Sequence, residues 1–451
     1  MTSKLRKCFV GILLGYGIIL VGLLYWQTYA DLNKHSANPR YYQMFQAERG
    51  TIFDRHGETL AKSVEIDDKY VREYAVASLS HVVGYFHQRY GITGLENVLH
   101  DELIRGRQIY TTIDLQIQKI AQECLGSNIG AVVVFEPSNG EILALVSSPF
   151  VDGNLLDKNW SNYLEDMRSP FLNRATHGLY PPGSAIKPVV YGAAFREGII
   201  DENQTWNDSG VLAIGDRTIS NFGNRNLGKI NIDEALAYSS NVVFAQLAIE
   251  LDNSLLDYYR SFNLGNKVDF ILNNQSGYVP EIVHSQYDAA LLGIGQGDLL
   301  VTPLQMAMIA STIANHGIMM KPIIVKEIRG GLQMRKIARS EELGTVLPEE
   351  ATRAIRRAME LATLDGTARS DAGAKLHIAA KTGTAQTGKG KDHAWFMGFA
   401  PSRSPRFAIA VVVEHGGTGA TVATPIGTDI IAKILELVTE RERYKVSDHD
   451  W

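Results

Sequence analysis

Three separated stretches carry side chains that could act together on one substrate. Ser184 and Lys187 stand three apart in Tyr180-Pro-Pro-Gly-Ser-Ala-Ile-Lys-Pro188. On a helix that spacing puts both on one face, within side-chain reach. A serine hydroxyl is a weak nucleophile until a neighbouring base takes its proton, and a desolvated, neutral lysine is such a base. Gly183 and the two prolines before it favour a turn leading into that helix. A serine three residues before a lysine occurs in almost any protein, so the pair takes its meaning from its company.

That company is Tyr238-Ser239-Ser240-Asn241 and Lys381-Thr382-Gly383-Thr384-Ala385. The first sits in a region of helical periodicity and offers a hydroxyl (Ser239) and an amide (Asn241). The second reads as a strand. A lysine there, followed by small residues, sets a fixed positive charge beside a cleft. Gly383 has no side chain to obstruct a ligand lying along it.

These groups must be positioned by strands on one side and helices on the other. Gly130 to Phe135 and Ile142 to Val146 read as a β-hairpin around Pro137-Ser-Asn-Gly140. From about 161 to 323 the pattern turns helical. The candidates are Ile186 to Glu197, Ile232 to Asp252, Leu255 to Phe262, Tyr287 to Ile294 and Pro303 to Asn315, with another over 349–363. Strands return at His377 to Thr384, Ala394 to Phe399 and Phe407 to Val413, before a helix over Pro425 to Val438. Two strands, a helical insertion, three strands and a closing helix predict an α+β fold, an antiparallel sheet covered by helices. Upstream, Glu48 to Ala61 reads as strand, Asp-Arg-His-Gly turn and strand. Ile109 to Asp114 leads into a helix that Asp114 can cap.

The 451 residues carry 45% hydrophobic and 21% charged side chains, enough for two or three cored domains. Net charge is -5, and no basic stripe interleaves with aromatics, which argues against nucleic acid as a partner. The twelve histidines form no His-x-x-x-His pair, so no metal site is expected, nor any cofactor. Gly293, Gly295 and Gly297 lack the strand–helix setting of a dinucleotide loop.

At the N-terminus, Lys4, Arg6 and Lys7 precede an uncharged run from Cys8 to Trp26. As a helix this run is about 28 Å long, enough for a bilayer core. Its positive flank predicts a cytoplasmic tail over 1–7 and a single-pass anchor over 8–26, with everything after it outside the cell membrane. A cleaved secretory signal is the competing reading, and Thr28-Tyr-Ala30 is the cleavage site it would use. A membrane anchor between Cys8 and Cys124 leaves no intrachain disulfide. Cys124 is then a small buried hydrophobe.

Ser184-Ala-Ile-Lys187, Ser239-Ser-Asn241 and Lys381-Thr-Gly383 together resemble the three signatures of the serine acyl-transferases that bind penicillin. Arg49 to Gly57 resembles the Arg-Gly-x-Ile-x-Asp-Arg-x-Gly segment of the membrane-proximal domain in class B penicillin-binding proteins. Ile294-Gly-Gln-Gly297, Thr302-Pro303 and Trp395 to Pro401 are similar to the same class. The resemblance covers nearly the whole chain. It implies a short membrane-proximal (dimerisation or pedestal) domain over 27–108, a β-lactamase/transpeptidase-like domain over 109–440 and a flexible tail over 441–451. Alanine at 185, where threonine is commoner, is the one departure in the first signature.

The resemblance implies a peptidoglycan D,D-transpeptidase acting through a Ser184 acyl-enzyme, with Lys187 as base and Ser239 as proton relay. Asn241 would bind Lys187 and the substrate amide, while Lys381, Thr382, Gly383 and Thr384 would bind the terminal carboxylate. Stem peptides would be the substrates, β-lactams the covalent inhibitors and a multi-span glycan polymerase the partner. No glycosyltransferase activity is expected. A D,D-carboxypeptidase, and a catalytically silent penicillin-binding assembly or sensor protein, are the alternatives.

Overall fold

The structure, a computed structural model, describes residues 3–28, 45, 47–201, 203–330, 335–336, 339–388 and 390–447. Most of 27–47, the start of the expected membrane-proximal domain, lies outside these residues, as does the end of the tail.

At the centre of the catalytic region is a five-stranded antiparallel sheet. In space its strands run Ala379–Ala385, His393–Ala400, Phe407–Val413, Gly130–Glu136, Glu141–Ser148. Its strands are apolar on both faces because both faces are covered, and the period of two divides each strand between two cores. Val132, Val134 and Val411 pack with Ile430 and Ile434 of the C-terminal helix Thr424–Ser447. Ala131, Val133 and Val412 pack on the other side with Met306 and Ile309 of helix Pro303–Ala314. That buried helix starts in a reciprocal cap. The Thr302 hydroxyl accepts from Gln305 N at 3.2 Å and Gln305 Oε1 accepts from Thr302 N at 3.0 Å. Such a cap contributes about 1 kcal/mol and leaves no orphan donor at a helix end that water cannot reach.

The helical insertion is more interrupted than its periodicity suggests. One helix expected over 232–252 is two, Ile232–Ala237 and Asn241–Leu251. Ser239 between them has a left-handed backbone (φ 62°), and the Ser240 hydroxyl takes the N–H of Val243 as the second helix starts. A serine side chain that competes for backbone donors in this way ends one helix and caps the next. Two short ladders also occur where no strand was expected, Val211–Ile214 with Arg217–Ser220 and Thr205–Asp208 with Gly228–Asn231. The C-terminal helix continues to Ser447, past the expected onset of a flexible tail at 441. Arg441 bonds the carboxylate of Asp114, which also caps helix Leu115–Leu125, and this pairing holds the extra turn in place.

A second, six-stranded sheet forms the small domain, with Ile52–Phe53, Thr59–Ile66, Lys69–Tyr74 and Gln108–Thr111 from the N-terminal part. Its remaining strands, Val325–Arg329 and Arg335–Lys336, come from beyond the helical insertion, so the chain returns to this domain after building most of the other. Glu96 is fully buried between Arg49 (2.8 Å) and Arg72 (2.5 Å) and ties three segments of the domain together. At the junction, Asp54 accepts from the N–H groups of His56, Glu58 and Leu115. Arg55 bridges Glu136 and Glu141 of the catalytic hairpin. The N-terminal helix Ser3–Thr28 has 26 residues. Within its segment Ser3–Trp26 an 18-residue stretch has a mean hydropathy of 2.3 and no buried positions, and among the described residues it alone is long and apolar enough to span a bilayer.

Candidate active site

Ser184 lies on a single 3-10 turn, Gly183–Ile186, that runs directly into helix Lys187–Arg196. Pro188 in the first helical turn loses nothing, since N–H groups there have no helical partner. The turn presses against the edge strand of the central sheet. A Cβ on Gly183, which has φ +53°, would stand 2.6 Å from the Thr384 carbonyl oxygen, and one on Gly383 would stand 2.7 Å from that of Pro182. Only glycine allows both contacts, and together they bring the Ser184 backbone beside Thr384. From the opposite side the Gly295 carbonyl accepts from Gly183 N at 2.9 Å.

Lys187 and Lys381 are both fully buried, and the Ser239 hydroxyl lies between them. Lys381 Nζ donates to Ser239 Oγ at 2.9 Å and to the Thr382 carbonyl at 2.9 Å. Lys187 Nζ donates to Asn241 Oδ1 at 2.7 Å and to the carbonyls of Ser239 and Ser240 at 2.8 and 3.1 Å, with Ser239 Oγ 3.3 Å away. Ser239 Oγ is the farthest of these four oxygens, and a neutral amino group has a lone pair that can accept from a hydroxyl. Ser239, taking a proton from Lys381, can offer its own to a neutral Lys187. Burial holds Lys187 well below the ordinary lysine value, the charge of Lys381 lowers it further, and Asp208 opposes both. Burial alone pushes Lys381 down to about 7. The expected Ser184–Lys187 hydrogen bond is not among the contacts of Lys187. Such contacts often tighten only when substrate arrives.

The remaining side chains are fixed in turn. Asn241 Nδ2 donates to the Ser220 carbonyl at 2.7 Å, which leaves its Oδ1 for Lys187. Thr382 and Thr384 share one side of the strand. Thr382 Oγ1 bonds Thr367 Oγ1 at 2.8 Å, and Thr384 Oγ1 accepts from Gly419 N at 3.2 Å. All eight residues singled out by sequence thus belong to three segments in mutual contact: the Ser184 turn with the helix that Lys187 opens, the 239–241 turn and the edge strand. Among the described residues no cluster of three or more His, Cys, Asp or Glu is placed to hold a metal ion.

Comparison with protein families matches residues 130–432 to the penicillin-binding protein transpeptidase domain. The chain belongs to that family. Residues 49–127 match the penicillin-binding protein A dimerisation domain. The D,D-transpeptidase PbpA of Mycolicibacterium smegmatis is 33% identical, over 96% of this chain and 99% of its own. Escherichia coli MrdA, another D,D-transpeptidase, is 31% identical over 71% of this chain and 56% of its own. Among solved structures, the D,D-transpeptidase domain from Eggerthella lenta superposes with a TM-score of 0.81 at 30% identity, covering 87% of this chain and 99% of its own. Penicillin-binding protein A of Mycobacterium tuberculosis, as its penicillin G acyl-enzyme, gives 0.80 at 30% identity, covering 86% of this chain and 100% of its own. The chain therefore carries a serine-type D,D-transpeptidase domain with a separate dimerisation domain.

Three residues of this transpeptidase site, Thr367, Asp208 and Asn221, escape sequence reasoning, and a fourth, Gly295, is marked only within Ile294-Gly-Gln-Gly297. Thr367 reaches Thr382 from the loop after helix Glu349–Leu364, and Gly295 reaches the Ser184 turn from the end of helix Gln286–Gly293. Asp208 ends one of the short ladders, Asn221 directly follows a strand of the other, and both stand behind the 239–241 turn. Only the glycine-rich Ile294-Gly-Gln-Gly297 carried a signal, as part of the resemblance. His393 is half-buried, edge-on to the Tyr180 ring and tilted against that of His415, at the end of the edge-strand hairpin.

Proposed function

We propose that this chain is a membrane-anchored serine transpeptidase that cross-links peptidoglycan stem peptides, with Ser184 as nucleophile and Lys187 as its general base. The observation that carries this reading is the buried pair of lysines joined through Ser239 beside the Ser184 turn. Lys187 takes the proton from Ser184 Oγ as that oxygen attacks the carbonyl between the two terminal D-alanines. The backbone N–H groups of Ser184 and Thr384 stabilise the resulting oxyanion, a contribution typically worth about two or three orders of magnitude in rate. The C–N bond then breaks, and the departing D-alanine amine receives a proton through Ser239. Lys381, Thr382 and Thr384 bind the terminal carboxylate, Gly383 leaves room for it, and Asn241 binds the substrate amide. An amine of a neighbouring stem attacks the ester, loses a proton and restores Ser184. β-Lactams acylate the same serine, as the acyl-enzymes of the Mycobacterium tuberculosis relative support.

Residues 8–26 anchor the chain with its catalytic part outside the cell membrane, in keeping with the basic flank at 4–7 and the apolar helix. Residues 27–108 form the membrane-proximal domain, to which the strands Gln108–Thr111, Val325–Arg329 and Arg335–Lys336 are added, the rest of 109–440 forms the catalytic domain, and 441–451 is the tail that follows from its last helix. A multi-span glycan polymerase is the partner. Intact-mass measurement of the full chain after penicillin treatment tests the core of this reading. One adduct on the parent protein and none on Ser184→Ala is the expected result, and an adduct that survives that substitution refutes it.

A further inference from the structure

Behind the 239–241 turn stands a buried carboxylate that the reaction scheme leaves unused. Asp208 is fully buried at the end of strand Thr205–Asp208. Its oxygens accept from Gly210 N at 2.8 Å, from Asn221 Nδ2 at 2.8 and 2.9 Å and from Ser240 Oγ at 2.6 Å. All these neighbours donate, which suits a carboxylate that only accepts. Two of them hold the active-site turn. Ser240 presents its carbonyl to Lys187 Nζ, and its hydroxyl also receives Val243 N at 3.0 Å. Asn221 Oδ1 receives Asn241 N at 2.7 Å and Val242 N at 3.2 Å, the first two amides of the helix that carries Asn241.

We propose that Asp208 is a positioning residue of the transpeptidase: through Ser240 and Asn221 it locks the 239–241 turn onto Lys187, and it supplies a buried negative charge behind Lys187. The inference rests on Lys187 being the general base. Two charged groups act on Lys187, Lys381 from the edge strand and Asp208 from the ladder, while helix Asn241–Leu251 presents the Phe244 ring at 5.4 Å. Whenever Lys187 carries its proton, that charge in a dry interior beside Lys381 would be strongly disfavoured without an opposing one. The turn also needs an external clamp, because Ser239 is held in a left-handed conformation that a serine does not adopt unaided. Asp208 meets both needs from one position, which neither a purely structural aspartate nor a plain helix cap would do.

The charge and the clamp separate experimentally. Rates of acylation by a fluorescent penicillin are measured from pH 5 to 9 on the full chain in detergent, for the parent, Asp208→Asn and Ser240→Ala. Removing the negative charge makes Lys187 give up its proton more readily. The acid limb of Asp208→Asn therefore moves to lower pH by about one unit, the usual effect of a nearby charge. Ser240→Ala keeps the charge and loses the clamp, so its limb stays in place while its plateau falls about tenfold or more. An unmoved limb in Asp208→Asn, or an equal shift in Ser240→Ala, overturns the proposal. Should Asp208→Asn not fold, Asp208→Glu decides: a lowered plateau with the limb in place supports it, and an unchanged profile overturns it. A parent enzyme with no acid limb at all would instead remove Lys187 as the base, a result distinct from these.

Discussion

Ser239 combines a chemical task with an unfavourable backbone, and two substitutions separate them. Its hydroxyl bonds Lys381 and approaches Lys187, while its φ of 62° lies in the left-handed region. That region costs a residue with a Cβ about 1–2 kcal/mol. Removing the hydroxyl forfeits a hydrogen bond to a buried amino group, about 1.5–3 kcal/mol where that group is charged. Alanine loses the bond and keeps the strain, so Ser239→Ala is expected about 2 kcal/mol below the parent. Glycine loses the same bond but sheds the strain, at a cost of about 0.5–1 kcal/mol in unfolded-chain entropy. Ser239→Gly is therefore expected roughly 0.5–1 kcal/mol above Ser239→Ala. Both lose the proton relay, which predicts acylation about 100- to 10,000-fold slower. Denaturant unfolding of the full chain in detergent reads the first difference, and fluorescent-penicillin labelling reads the second. A glycine variant no more stable than the alanine variant refutes the strain argument. Labelling within tenfold of the parent removes Ser239 from the proton path.

Glu96→Ala leaves Arg49 and Arg72 buried without the carboxylate that pairs them and should destabilise the small domain by about 3–5 kcal/mol, read as earlier unfolding of that domain. Thr367→Val removes the bond that orients Thr382 and should weaken initial penicillin binding about fivefold to tenfold while the acylation step itself is unchanged, as stopped-flow labelling separates. Lys381 has its folded value near 7 against an ordinary 10.5, so between those pH values the unfolded chain binds the extra proton. Stability should then rise with pH across that window, and Lys381→Met should flatten the slope in unfolding measured from pH 7 to 10.

The three chemical stretches were legible because each depends on local chemistry: a turn-forming glycine, a serine–lysine spacing on one helix face, and small residues on a strand. The central sheet was legible for the same reason, since both its faces are covered and its strands are unbroken apolar runs. Neither the break at Ser239 nor the return of Val325–Arg329 to the small sheet could be read, because both are decided by partners far along the chain. Asp208 ends, and Asn221 directly follows, a four-residue strand of mixed polarity that lacks strand periodicity, so nothing local marked them. Arg441 reads as a charged tail residue until Asp114, more than three hundred positions earlier, is brought beside it.

The strand Val325–Arg329 has a practical consequence for anyone cutting this chain into pieces. It pairs with Gln108–Thr111, and just before it Ile323 N bonds Gly140 O while the Ile323 carbonyl takes Ile142 N. An expression fragment limited to 130–432 would retain this strand but discard its neighbour at 108–111. A bare ladder edge of that kind invites pairing between copies and precipitation. Fragments meant for crystallisation or inhibitor screening should therefore begin ahead of Arg49, so that every strand of the smaller sheet travels with the larger one.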